Sequence, residues 1–66
     1  MKEQLLLACR MHAEGELERA KPHFMVYLNN PAGIGEHSDI VEAMQKELST
    51  MGHASERLEM LSKHFE

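Results

Sequence analysis

The sequence predicts an all-α fold: a helical hairpin of two long amphipathic helices that associates into a dimeric four-helix bundle or a higher oligomer. Three observations carry this expectation. Apolar residues recur in alternating three- and four-residue steps on both sides of a central segment, the period of a helical stripe. That segment, Asn29-Asn30-Pro31-Ala32-Gly33-Ile34-Gly35-Glu36-His37-Ser38-Asp39, holds two of the four glycines and one of the two prolines. At 66 residues the chain is one domain at most, of a size that buries only about 60% of its unfolded surface.

The first helix is expected over about residues 2–29. Its stripe runs through Leu6, Ala13, Leu17, Ala20, Phe24 and Tyr27/Leu28, with Arg10 in the one off-pattern slot. Glu14, Glu16, Glu18, Arg19 and Lys21 lie mostly between these positions and form a charged face. Pro22 is the obstacle, because an interior proline removes a backbone hydrogen bond and kinks or ends a helix. The stripe keeps its phase across Pro22, which favours a kinked continuous helix. A break, with Pro22 in the first turn of a short second helix, is also allowed. The run "HFMVYL" reads as a strand in isolation, but no other segment offers it a partner.

The linker is placed at residues 30–37. Asn29 or Asn30 suits a left-handed helix end, Pro31 blocks continuation, and Gly33 and Gly35 permit positive φ on either side of Ile34. Asp39-Ile40-Val41-Glu42 loosely matches a capping box, with Ser38 an equally good first cap. The second helix then runs over about 38–64. Its stripe is Val41, Met44, Leu48, Met51, Ala54, Leu58, Leu61 and Phe65, and Gly52 weakens its middle without disturbing the phase.

A hairpin buries one side of each helix, and here Leu5, Met25, Ile40, Met44 and Met60 broaden the stripes beyond what one partner covers. Self-association follows, most simply as a dimer. The residues expected in the core or the oligomer interface are Leu6, Leu17, Phe24, Leu28, Val41, Met44, Leu48, Met51, Leu58, Leu61 and Phe65. The six methionines suit irregular gaps between helices.

Composition narrows the partners. The formal net charge is −4, and the seven basic residues are scattered, so nucleic acid is not an expected partner. No apolar run approaches a membrane span. "MKEQLLLAC" resembles a signal peptide only superficially: its apolar core is short and Glu3 sits where positive charge is needed. Cys9 is the sole cysteine, which rules out an internal disulfide or a paired-cysteine zinc site. It is read as a reduced, packed thiol of a cytoplasmic protein.

No catalytic residue, metal ligand or cofactor is assigned. His12 and Glu16, four apart, share a helical face, as do His53 and Glu56, three apart. An exposed ion pair is the expected role of the first pair, and the Glu-x-x-His order of di-iron bundles is absent. Cys9 with His12 is the only nominal nucleophile pair, and its apolar neighbours argue against a reactive thiol. "GIGEHSDI" puts Gly-x-Gly before a helix start, but it lacks a preceding strand and a third glycine, and Glu36 and Asp39 repel phosphate. Gly33, Gly35, Glu36 and His37 remain the candidate ligand-binding residues. His37 is the one linker residue without a structural task.

"VYLNNPAGIGEHSDIVEAMQKEL" together with "ERLEMLSKHF" resembles a group of small proteins encoded by tailed bacteriophages, including cyanophages. They share an Asn-Pro-x-Gly-Ile-Gly-Glu-His linker between two helices, and the match spans Val26 to Phe65. Pro22 departs from the group's first helix. The resemblance implies a helical hairpin and a phage or environmental-virus origin, hence host-cell cytoplasm, and it brings no activity. The expected function is that of a non-enzymatic oligomerising helical protein, an assembly accessory or a module that binds a phage or host protein. The alternative is a small ligand- or metal-binding module built on the Gly33–His37 linker.

Overall fold

The computed structural model describes residues 1–29 and 39–66, in which α1 spans Lys2–Asn29 and α2 spans Ile40–Phe65. Among the described residues there is no strand, so "HFMVYL" is helical. The helices have 28 and 26 residues, or about 42 and 39 Å at the usual rise. They lie antiparallel: Arg10 pairs with Glu66, Glu16 with Arg57, and His23 with Glu47, so partners descend in α2 as they climb in α1.

The seam repeats on a heptad in both helices. On α1 it follows Leu6, Arg10, Ala13, Leu17, Ala20, Phe24 and Tyr27; on α2 it follows Ile40, Met44, Glu47, Met51, Ala54, Leu58 and Leu61. Every one of these residues is at least half-buried, and each polar slot has a partner across the seam. Arg10 meets Glu66, and Glu47 Oε2 lies 3.8 Å from His23 Nδ1. Thr50, beside the seam, donates its hydroxyl to the Lys46 carbonyl at 3.2 Å, which is how a half-buried hydroxyl is satisfied on a helix.

The helix runs unbroken through Pro22, so of the two sequence readings the continuous one describes α1. Pro22 is exposed and sits away from the seam. Glu18, whose carbonyl loses its donor to Pro22, is exposed as well, so the position of the lost bond is on the outer side of α1. The start of α2 departs from expectation. Asp39 occupies the N-cap, but its side chain makes no capping hydrogen bond. Its φ of −96° and ψ of 31° lie outside the extended region from which an N-cap side chain reaches the first free amides. Only its backbone carbonyl takes part, accepting from the Ala43 amide at 3.0 Å.

The protein is a rod of 49 × 15 × 14 Å with a radius of gyration of 15.1 Å, against about 11 Å for a compact chain of this length. Its accessible surface is 5220 Å², where a compact 7.6 kDa monomer shows about 4,300 Å². Among the described residues the fully buried apolar ones are Ala13, Ala20 and Ala54, and no large side chain is sealed from solvent. Small residues let the helices approach closely, but three methyl groups are a slender core.

Gly15 and Gly52 are exposed helical positions, and a Cβ built at either meets nothing within 4 Å. Gly15→Ala and Gly52→Ala should therefore each stabilise the protein by about 0.5–1 kcal/mol. Urea unfolding at one fixed protein concentration measures the gain.

Candidate functional site

The antiparallel pairing gives the rod two unlike broad faces. Because both helices are right-handed and run in opposite directions, stepping one residue back from a seam position turns both chains to the same side. Glu16 precedes Leu17 and Arg57 precedes Leu58, and the two meet there at 3.0 Å. His12, Arg19, His23, Lys46, His53 and His64 each precede a position on the same heptads, so this face is rich in histidine, with Leu5, Val26 and Met60 exposed on it toward the ends. His12 Nδ1 lies 3.6 Å from the same Glu16 oxygen that Arg57 engages. These are solvated pairs, and each contributes about 1 kcal/mol at most. They set the register more than they stabilise it.

Stepping one residue forward reaches the opposite face. On α1 that flank reads Leu7, Met11, Glu14, Glu18, Lys21, Met25 and Leu28: apolar at both ends and charged in the middle. Lys21 Nζ is 3.1 Å from Glu18 Oε2. On α2 the same step reaches Val41, Gln45, Leu48, Gly52, Ser55, Glu59, Ser62 and Glu66: apolar at Val41 and Leu48, small and polar in the middle, and acidic toward the C-terminus. Leu7, Met11, Met25, Leu28, Val41 and Leu48 on this side are each between 44% and 61% exposed. Leu7 and Met11 lie toward one end of the rod and Met25, Leu28, Val41 and Leu48 toward the other, with Glu14, Glu18 and Lys21 between them.

Of the residues expected in the core or an interface, Leu6, Leu17, Phe24, Met44, Met51, Leu58 and Leu61 lie half-buried on the seam. Leu28, Val41, Leu48 and Phe65 are exposed within the single chain. Three- and four-residue spacing places them on a helix but does not separate the seam from the flank beside it. Leu7 and Met11 escaped the sequence reading, although they sit one residue past Leu6 and Arg10 on the same heptad. The three buried alanines were on the stripe and outranked by larger neighbours.

Cys9 corrects an expectation: it is exposed, not packed. It lies one residue short of the Arg10 seam position, at the end of the rod where the termini meet. There it lines two adjoining open grooves. One, of 520 Å³, is bounded by Met1, Lys2, Leu5, Leu6 and Phe65; the other, of 320 Å³, by Glu56, Arg57, Met60, Leu61 and Phe65. Among the described residues no three His, Cys, Asp or Glu side chains converge as a metal site, and no helix is long and apolar enough to cross a membrane. Gly33, Gly35, Glu36 and His37, the candidate ligand-binding set, lie outside the described residues.

No protein-family model, curated protein or solved structure matches the chain.

Proposed function

We propose that this chain is a non-enzymatic, self-associating helical protein that acts as an assembly accessory or a protein-binding module. The carrying observation is the contrast between what it buries and what it exposes. Among the described residues three alanines are sealed, while Leu7, Met11, Met25, Leu28, Val41 and Leu48 lie open on one side and Leu5, Val26 and Met60 on the other. The surface in excess of a compact monomer, roughly 900 Å², is close to the ~800 Å² that each partner contributes to a standard interface. Its resemblance to phage proteins in the linker and second helix supports a viral origin and action in the host cytoplasm. Such a protein works by presenting surfaces, and the histidine-rich polar face stays free for a phage or host protein when the apolar face is occupied.

The test is sedimentation equilibrium combined with thermal melts across a hundredfold concentration range. A dimer at micromolar concentration is expected, with a Tm that rises on the order of 5 °C per tenfold increase in protein. A cooperatively folded monomer with a concentration-independent Tm would end this reading.

A further inference from the structure

Resting on the self-association just proposed, which leaves the histidine-rich face open, we infer that this face docks an acidic helical segment of another protein. The fitting segment is about 30 Å long, with carboxylates in its middle and apolar residues at its ends. The inference comes from a separation of charge that the net charge of −4 conceals.

One residue before the seam heptads stand Lys2, Arg19, Lys46 and Arg57 against Glu16 and Asp39, so this side of the rod is cationic. One residue after them stand Glu14, Glu18, Glu59 and Glu66 against Lys21, so the other side is acidic. The carboxylates nearest the cationic side are engaged within the chain. Glu16 is shared by Arg57 and His12, and Glu47 on the seam lies 3.8 Å from His23. Among the described residues no carboxylate lies within ion-pair distance of Arg19 or Lys46. Glu56 borders the face only toward the termini, where it lines a groove with Arg57 and Met60.

The outer edges of the face run in steps of seven. On α1 the edge is Leu5, His12, Arg19 and Val26, and every member is exposed. On α2 it is Met60, His53 and Lys46, also exposed, and it meets a carboxylate at Asp39, before the helix begins. Arg19 and His53 both fall between the Glu16–Arg57 and His23–Glu47 pairs, so they stand level across the middle of the rod. Leu5 and Met60 are 59% and 40% exposed at one end of the face, and Val26 is 54% exposed toward the other. Leu5 and Val26 are separated by about 30 Å along α1, the length of a helix of about 20 residues.

A helix laid between these edges meets apolar, then cationic, then apolar surface. Its complement is an amphipathic helix that is apolar, acidic and apolar in turn. Nucleic acid fits poorly, because it calls for a dense row of cations and both ends of this face are apolar.

The probe is a synthetic helical peptide of about 20 residues with glutamates in its middle and leucines toward each end. Fluorescence anisotropy of the labelled peptide, with sedimentation of the same samples, should show saturable binding to the intact dimer. Raising the salt from about 0.1 M to about 1 M shortens the screening length from about 10 Å to about 3 Å, and should weaken binding about tenfold. Arg19→Glu and Lys46→Glu should each weaken it about threefold to tenfold. Lys63→Glu makes the same change of charge at an exposed position two residues from the seam on either side, and should leave binding unchanged. Circular dichroism checks that all three variants stay folded.

A dimer that shows no saturation at about 1 mM peptide would overturn the inference and leave self-association standing. Equal losses from all three substitutions would also overturn it, as would tighter capture of a single-stranded oligonucleotide of equal charge. Growth beyond the dimer that Arg19→Glu abolishes would make the acidic side of another copy the occupant, and so exclude a foreign segment. A monomer that binds the peptide with the same dependence on Arg19 and Lys46 would remove self-association alone.

Discussion

Leu48→Glu is expected to turn the protein from a folded dimer into a largely unfolded monomer. Leu48 is 44% exposed in the single chain, where a glutamate would be tolerated at little cost. In the proposed dimer it lies on the side of α2 that the second copy covers. Two carboxylates per dimer would then lose water without gaining a partner, at a cost on the order of 3–5 kcal/mol each. A dissociated chain retains a seam whose sealed core is Ala13, Ala20 and Ala54, so helix content should fall together with association. Light scattering and far-ultraviolet circular dichroism on the same sample report both losses. Val26→Glu is the control: Val26 is 54% exposed but precedes Tyr27 on the opposite face, and its substitution should leave the dimer intact. Equal damage from both substitutions would mean that the apolar face has no special role.

Ala54→Leu is expected to destabilise by about 1–3 kcal/mol, although leucine is a good helix former and more apolar than alanine. Ala54 has no exposed surface, and it occupies the seam where the two helices approach. A side chain three heavy atoms larger must push α2 away from α1 or leave its rotamer. Either response opens the contacts of Leu17 and Leu58 on the neighbouring turns. Ala8→Leu supplies the comparison, because Ala8 is exposed and the same added volume meets water. Chemical unfolding of the two variants at one protein concentration should show a loss for Ala54→Leu and a change within about 0.5 kcal/mol for Ala8→Leu.

The stripes made the helices legible, since phase survives both Pro22 and Gly52. Periodicity reports which residues share a side, and that is why Leu17, Met51 and Leu58 could be placed on the seam. It is blind to the difference between adjacent lines on one broad side. Tyr27 packs on the seam while Leu28 faces outward, and Ile40 packs while Val41 does not, although hydrophobicity alone favours Leu28 over Tyr27 and ranks Ile40 with Val41. Only the direction of the partner helix separates them. The Asp39 cap was misread for a related reason: residue type names a competent acceptor, whereas φ and ψ decide whether it reaches an amide. Cys9 was misjudged because its apolar neighbours in sequence are not its neighbours in space. The candidate linker residues Gly33, Gly35, Glu36 and His37 rest on sequence alone, because the described residues stop on either side of them.

Joined to the proposed self-association, the sealed alanines of the described residues have a consequence for the life of the protein in a cell. A chain that completes its interior by meeting a copy of itself has no fixed folded fraction; synthesis rate enters its folding equilibrium through mass action. Early in expression most copies would be open to proteases, and survival would rise steeply once copy number passed the dissociation constant. Such a protein would measure its own abundance, and a modest change in gene dosage would be read out as an abrupt change in lifetime.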